Sequence, residues 1–221
     1  MTADQAEAGT ITWSGPLNAP VGWSNSGFNA SFLQPLSGGM GFRFTAKSSN
    51  TTELQRRIHL RVISATGLSG LQFAYHSGGW LRLFNAGAAW SAVASAFSGA
   101  FGLNARKWVT RYGGASGTYH SVFGPGNFSH EYALFRFPVG AGYDYGWIEL
   151  SGFVSNGQGP DNSLGPRLTV ESWAYDTSGA PIHAGDTGSA VPEPGSFALT
   201  GLAALSLGAA GMRRWRAARA S

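Results

Sequence analysis

The chain of 221 residues contains no cysteine. No disulfide framework, thiolate zinc site or cysteine nucleophile can be built, so stability has to come from a packed core and chemistry from other groups. Charge is scarce as well: Asp, Glu, Lys and Arg make up 12% of the residues, against ~25% in an ordinary soluble domain. Such poverty disfavours a cytosolic helical protein and suits a glycine- and hydroxyl-rich extracellular β-domain. Helical periodicity is also nearly missing. What the chain does hold is 33 glycines, 8 tryptophans and 43% hydrophobic residues, of which a large share is aromatic. That argues for a folded body, since a disordered chain is poor in aromatics. The length fits one domain with a tail.

The net charge of +4 is unevenly placed. Residues 191–221 carry Arg213, Arg214, Arg216 and Arg219 against Glu193, a net of +3, which leaves 11 basic and 10 acidic groups, a net of +1, in residues 1–190. Binding along phosphates needs a stripe of Lys and Arg, yet the body has two lysines, Lys47 and Lys107. On this reading the basicity belongs to the last nine residues and no nucleic-acid partner is expected.

The C-terminal end has three parts. Val191-Pro-Glu-Pro-Gly195 is followed by 16 residues, Phe197–Met212, without charge or proline, and then by Arg213, Arg214 and Arg216. As a helix the apolar run would rise about 24 Å, a little short of a bilayer's hydrocarbon core. The prolines would break any structure entering from the body. The arginines would act as a stop-transfer anchor on the cytoplasmic side, which places residues 1–190 outside the inner membrane.

Pro192-Glu193-Pro194, the apolar helix and the Arg-rich terminus together resemble the PEP-CTERM sorting signal of Gram-negative bacteria. The resemblance covers about 31 residues, 191–221. It implies recognition by an exosortase, a membrane-embedded transpeptidase-like enzyme that processes the chain near Pro-Glu-Pro and releases or re-attaches it at the cell surface. A second stretch is similar to a block found in many proteins of this kind. It comprises Phe135-Arg136-Phe137, Tyr145-Gly146-Trp147-Ile148-Glu149-Leu150, Leu168-Thr169-Val170, Trp173-Ala174-Tyr175-Asp176 and Pro181-Ile182-His183-Ala184-Gly185-Asp186. Asp176 stands where Glu is usual and keeps the acid. The block implies a structural β-domain and brings no catalytic or ligand residue with it.

An exported protein should open with a basic and then an apolar stretch, but Met1–Thr10 has neither. Ala6-Glu7-Ala8 has the small-x-small form of a signal-peptidase site. Residues 1–8 are therefore read as the remnant of, or replacement for, a signal peptide that lies upstream.

In the body, short β-rich runs alternate with Gly, Asn, Ser and Pro: Thr10–Trp13, Met40–Thr45, Ile58–Ile63, Leu71–Tyr75, Trp80–Phe84, Lys107–Tyr112, Thr118–Phe123, Tyr132–Phe137, Tyr145–Leu150 and Arg167–Tyr175. About ten such runs predict an antiparallel, jelly-roll-like β-sandwich over residues 9–179. Ala88–Leu103 is expected to be one short helix or an apolar loop ended by Gly99 and Gly102, and residues 180–190 a flexible stalk. Gly146 suits a close backbone approach, while Trp147, Trp173 and Tyr175 are expected to fill the space between the sheets.

The sequence offers no strong catalytic signature. Asp144 and Glu149 are a candidate acid pair for glycan hydrolysis, with Glu131 nearby, but ten scattered acids produce such pairs by chance. There is no Gly-x-Ser-x-Gly elbow, Gly113-Gly-Ala-Ser116-Gly117 having the wrong spacing. His59, His76, His120, His130 and His183 lack metal-ligand spacing, and Asp161-Asn162-Ser163 reads as a turn. No catalytic residue, metal or cofactor is assigned. Trp80 and Trp108 are singled out as candidate sugar-stacking residues, among indoles that otherwise fill a core. The expectation is an exported surface or matrix protein with exosortase, the inner membrane and exopolysaccharide as partners. The rival readings are a carbohydrate-binding module and a glycan-acting surface hydrolase.

Overall fold

The computed structural model describes residues 10–24, 27–53, 55–93, 95–111, 117–154 and 165–188. The proposed signal-peptide remnant, the sorting motif, the arginine cluster, Gly113–Ser116 and the Asp161–Ser163 turn lie outside the described residues. The body is all-β. Its strands are β1 (Ile11–Trp13), β2 (Ala19–Ser24), β3 (Gly27–Asn29), β4 (Ser31–Pro35), β5 (Gly41–Glu53), β6 (Arg56–Leu68), β7 (Gln72–His76), β8 (Trp80–Leu81), β9 (Leu83–Phe84), β10 (Ala96–Phe97), β11 (Ala100–Arg111), β12 (Gly117–Phe123), β13 (Phe128–Val139), β14 (Gly142–Phe153) and β15 (Arg167–Asp176). Each of the ten expected runs is found, most of them longer than expected.

One hydrogen-bonded path connects them in the order β3-β2-β15-β14-β13-β7-β8-β11-β6-β5-β4. Strand β1 adds to β15, β9 to β13, β10 to β7 and β12 to β11. All pairings are antiparallel except the single contact of β8 with β11. The two ends of the path, β3 and β4, follow one another in sequence, and the Ala30 carbonyl between them accepts from the Ala46 amide of β5 at 2.8 Å. The sheet therefore nearly closes on itself, which protects strand edges that would otherwise pair with other chains.

Alternation of side chains decides the layers. Phe42 and Phe44 of β5, Ile63 and Ala65 of β6, Phe73 of β7, Phe101 of β11, Phe135 and Phe137 of β13, Ile148 and Leu150 of β14, and Trp173 and Tyr175 of β15 form the main core. Phe42 meets Phe135 across it with ring centres 5.9 Å apart, and Phe73 meets Phe101 edge-on at 6.3 Å. Gly146 is the space-maker. A Cβ there would strike both the Phe135 ring and the Ala174 carbonyl, so the close approach expected from its sequence position is observed.

A second, smaller core lies on the opposite face of β13–β15. Tyr132, Leu134, Trp147 and Ala174 are covered there by Trp90, Val93, Ile182 and Ala184. This corrects two expectations. Trp147 does not sit between the sheets with Trp173 and Tyr175, because an odd position in β14 faces away from its even neighbours. Nor is 180–186 a flexible stalk. Ile182 and Ala184 are buried, the Ala184 amide donates to Ala88 O at 2.7 Å, and Trp147 Nε1 donates to Asp186 O at 3.0 Å. Apolar side chains at alternate positions, which composition alone does not reveal, turn this Gly-containing segment into a strap. Ala88–Leu103, expected as one short helix or an apolar loop, holds one 3-10 turn, Trp90–Ala92, and then becomes β10 and the start of β11, with Gly102 inside the strand rather than ending a helix.

Replacing Gly146 by Ala forces a methyl into Phe135 and should destabilise the body by about 3 kcal/mol, read as a lowered denaturant midpoint with an unchanged slope.

Candidate functional site

Strands β5, β6 and β11 outrun the core they wall. The last seven residues of β5 are exposed, as are the first two of β6. The inner face of this extension continues the row Phe42, Phe44, Ala46 with Ser48, Asn50 and Thr52, and the row Ala65, Ile63 with Arg61, His59 and Arg57. On β11 a bulge between Gly102 and Asn104 shifts the alternation, so Asn104, Arg106 and Trp108 pair with Ile63, Arg61 and His59. The apolar wall thus turns into a polar, cationic one along the same strands.

One transverse row is well defined. His59 Nδ1 donates to Asn50 Oδ1 at 2.7 Å, and the His59 ring stacks on Trp108 at 5.0 Å with 5° between planes. Arg61 and Arg106 each bring a guanidinium to 5.3 Å from the Trp108 ring, and Arg61 also lies 4.8 Å from the Trp23 ring. Partial burial, then the charges of Arg57 and Arg61, hold the His59 pKa below its ordinary value. Imidazole is thereby kept neutral in a cationic field.

The extension concentrates charge. Between residues 47 and 111 it carries Lys47, Arg56, Arg57, Arg61, Arg106, Lys107 and Arg111, with Glu53 as its acid. Strands β13–β15 and the strap carry Glu131, Asp144, Glu149, Glu171, Asp176 and Asp186 against Arg136 and Arg167. The near-neutral body is therefore the sum of a basic extension and an acidic remainder, and basicity is not confined to the last nine residues. Net charge hid this because it averages over positions. The period-two spacing Arg57-x-His59-x-Arg61 was the signal available in the sequence.

Trp80 and Trp108 are placed differently. Trp108 is 4% exposed and its ring is covered by the groups just named, so it offers no open platform. Trp80 is half-buried, lies on Gly102 where a Cβ would meet the indole at 2.8 Å, and lines an open cleft of about 440 Å³ with His76, Leu83, Pro125 and Glu131. One wall of that cleft is fixed by Asn104, a buried amide that sequence reasoning missed. Its Nδ2 donates to Gly126 O at 2.8 Å and its Oδ1 accepts from the Gly126 amide at 3.0 Å.

The acids weighed as a candidate pair are apart. Asp144 and Glu149 are an odd number of residues apart on β14, which puts them on opposite faces. Glu149 accepts from Ser172 Oγ at 2.7 Å and from His130 Nδ1 at 2.9 Å, with Tyr132 OH at 3.5 Å. The carboxylate lies between the serine and the histidine, which bond to its two different oxygens. Burial, then the Glu149 charge, pushes the Tyr132 phenol above its usual pKa. Among the described residues that line the cleft, Glu131 is the one carboxylate. Among the described residues no His, Asp or Glu cluster gathers as a metal site, and no helix is long and apolar enough to cross a membrane.

Compared with known proteins, the chain matches no protein-family model, no curated protein and no solved structure.

Asp144 is 6% exposed, and burial followed by the charge of Asp176 raises its pKa. A raised carboxyl pKa favours the folded state below the unfolded value and withdraws that stability as pH rises through the folded value. Asp144→Asn should therefore raise the melting temperature at pH 7 and leave it nearly unchanged at pH 3, as thermal unfolding at the two pH values would read.

Proposed function

We propose that the chain is an exported cell-surface or matrix protein whose β-body is non-catalytic and whose residues 191–221 are a PEP-CTERM-type signal processed by an exosortase. The observation that carries this reading is the ordered succession of Pro192-Glu193-Pro194, the uncharged run Phe197–Met212 and Arg213, Arg214 and Arg216. In this reading the apolar run anchors the chain in the inner membrane for a time, with the arginines on the cytoplasmic side. Cleavage near Pro-Glu-Pro then frees or re-attaches the body outside. By its contacts the chain divides into two compact units, residues 1–187 and 188–221. That supports a division of labour between a body ending near Thr187 and a separate address.

The five segments of the resembling block support the same reading in another way. Phe135–Phe137, Tyr145–Leu150 and Leu168–Asp176 are adjacent strands β13, β14 and β15, and the strap Pro181–Asp186 folds back onto Trp147. They are read as one building unit, a shared structural frame with no reacting group. The main core between Phe42 and Phe135 is consistent with a sandwich in which the two halves of the path face each other. A carbohydrate-binding role is favoured by one observation, the half-buried Trp80 beside an open cleft.

Localisation tests the sorting reading. Full-length chain should appear at the surface or in the medium in a form shortened near Pro192, whereas a variant with Pro192, Glu193 and Pro194 all replaced by Ala should keep its full mass and stay in the inner membrane. Equal processing and release of both would refute the sorting role.

A further inference from the structure

The near-closure of the sheet covers the outer edge of β5 only as far as Ala46. Strand β4 pairs with Gly41–Thr45, and the Ala30 carbonyl takes the Ala46 amide. Among the described residues no strand pairs with residues 47–53 on that side. On the other side they keep an unbroken register with β6, from Lys47 opposite Val62 to Glu53 opposite Arg56. Every residue from Lys47 to Glu53 is exposed. Proteins usually block such an edge with a proline, a bulge or a charge in its middle. This one, Lys47-Ser-Ser-Asn-Thr-Thr-Glu53, has no proline or bulge, and its charges stand at its two ends with opposite signs.

The pleat decides which backbone groups the edge offers. In an antiparallel strand the N–H and C=O of one residue point to the same side, and the side alternates along the chain. The Ala46 amide points toward β4. Ser48, Asn50 and Thr52 therefore turn theirs outward, each with one donor and one acceptor. A second copy of this edge, laid antiparallel about a two-fold axis at Asn50, satisfies all of them: Asn50 faces its own counterpart, and Ser48 faces Thr52 of the second copy. In that register Lys47 falls opposite Glu53 of the second copy, and Glu53 opposite its Lys47. Both pairs lie on one face of the joined sheet, at non-hydrogen-bonded positions where side chains come closest. A one-residue slip would set outward groups against inward ones, and a slip of two would lose the charge pairs. A parallel pairing would oppose Lys47 to Lys47. One register alone satisfies both the backbone and the charges.

We propose that residues 47–53 are the contact of a two-fold dimer in which β5 pairs with β5 of a second copy and the two bodies share one continuous sheet. Such an interface is isologous, which is what a self-complementary edge requires. A seven-residue edge buries less than a standard interface, so the dimer is weak and depends on concentration. The inference goes beyond the sorting reading and stands without it.

The chain's lack of cysteine allows a direct test of the register. Full-length Asn50→Cys and Ser48→Cys, purified in the same mild detergent, are oxidised and compared on a non-reducing gel. Both keep residues 191–221, so association through that end affects them equally. The Asn50→Cys variant should cross-link into a dimer, because directly opposed Cα atoms in such a pair lie about 5.5 Å apart, within disulfide reach. The Ser48→Cys variant should stay monomeric, its counterpart being four residues along the edge, ~13 Å away. In sedimentation of the cysteine-free protein, Lys47→Glu and Glu53→Lys should each dimerise about tenfold more weakly than the parent, and a mixture of the two should regain dimers. Circular dichroism and the melting temperature confirm that each variant is folded. Equal cross-linking of the two cysteine variants, no cross-linking of Asn50→Cys, or a mixture no more dimeric than its components each overturns the proposal.

Discussion

Phe42 of β5 and Phe135 of β13 meet across the interior with their rings 5.9 Å apart, and this contact ties together strands that lie far apart along the nearly closed sheet. Phe44, Phe73, Phe101 and Phe137 extend it in edge-on and stacked pairs. Aromatic contacts of this kind add ~0.5–1.5 kcal/mol each beyond the area they bury. With no disulfide available, this interlocked cluster carries the cohesion of the body. Gly146 is its necessary complement, because the Phe135 ring occupies the volume that any other residue's Cβ would need.

The same strands serve two ends. For half their length β5 and β6 are a core wall, and beyond Ala46 and Ile63 they continue as a sheet whose inner face is, among the described residues, mostly without apolar cover. The pleat keeps the parity: Phe42, Phe44, Ala46 become Ser48, Asn50, Thr52, and Ala65, Ile63 become Arg61, His59, Arg57. The core therefore fixes which face of the extension is basic. The transition is graded, since Arg106 is fully buried, Arg61 half-buried and Arg57 exposed. Trp23 and Trp108 occupy the boundary, where an indole can pack against the core on one side and a guanidinium on the other.

What could be read from the sequence follows from the same physics. Strands with an apolar face, such as Leu134-Phe135-Arg136-Phe137 and Trp147-Ile148-Glu149-Leu150, were legible from alternation. Strands β2, β3 and β4 were not, because Pro20, Gly22, Asn29 and Pro35 read as turn residues although the ends of a sheet tolerate them. The polar half of β5 was missed for a related reason: residues 47–53 have no hydrophobic period, and their pairing is inherited from the core part of the strand and from β6, whose polar end was legible in the alternation of Ile58, Leu60 and Val62. The strap 181–186 looked like a linker because Gly185, Asp186 and the following Gly188 read as flexible chain, whereas Ile182 and Ala184 decide its fate. Of the two singled-out indoles, Trp80 borders a cleft and Trp108 is closed. No sequence pattern separates them, since their difference lies in what His59 and two arginines do from other parts of β6 and β11.

One pair of strands is thus core wall at one end and an exposed basic hairpin at the other. Native-state hydrogen exchange along β5 and β6 tests it most directly, because both regimes lie within the same hydrogen-bonded ladder. Amides of residues 42–46 and 63–67 should exchange only through global unfolding, whereas those of 48–53 and 56–61 should exchange through a partial opening of lower free energy that leaves the phenylalanine cluster intact. Uniform protection along both strands, with every amide at the global free energy, would contradict it.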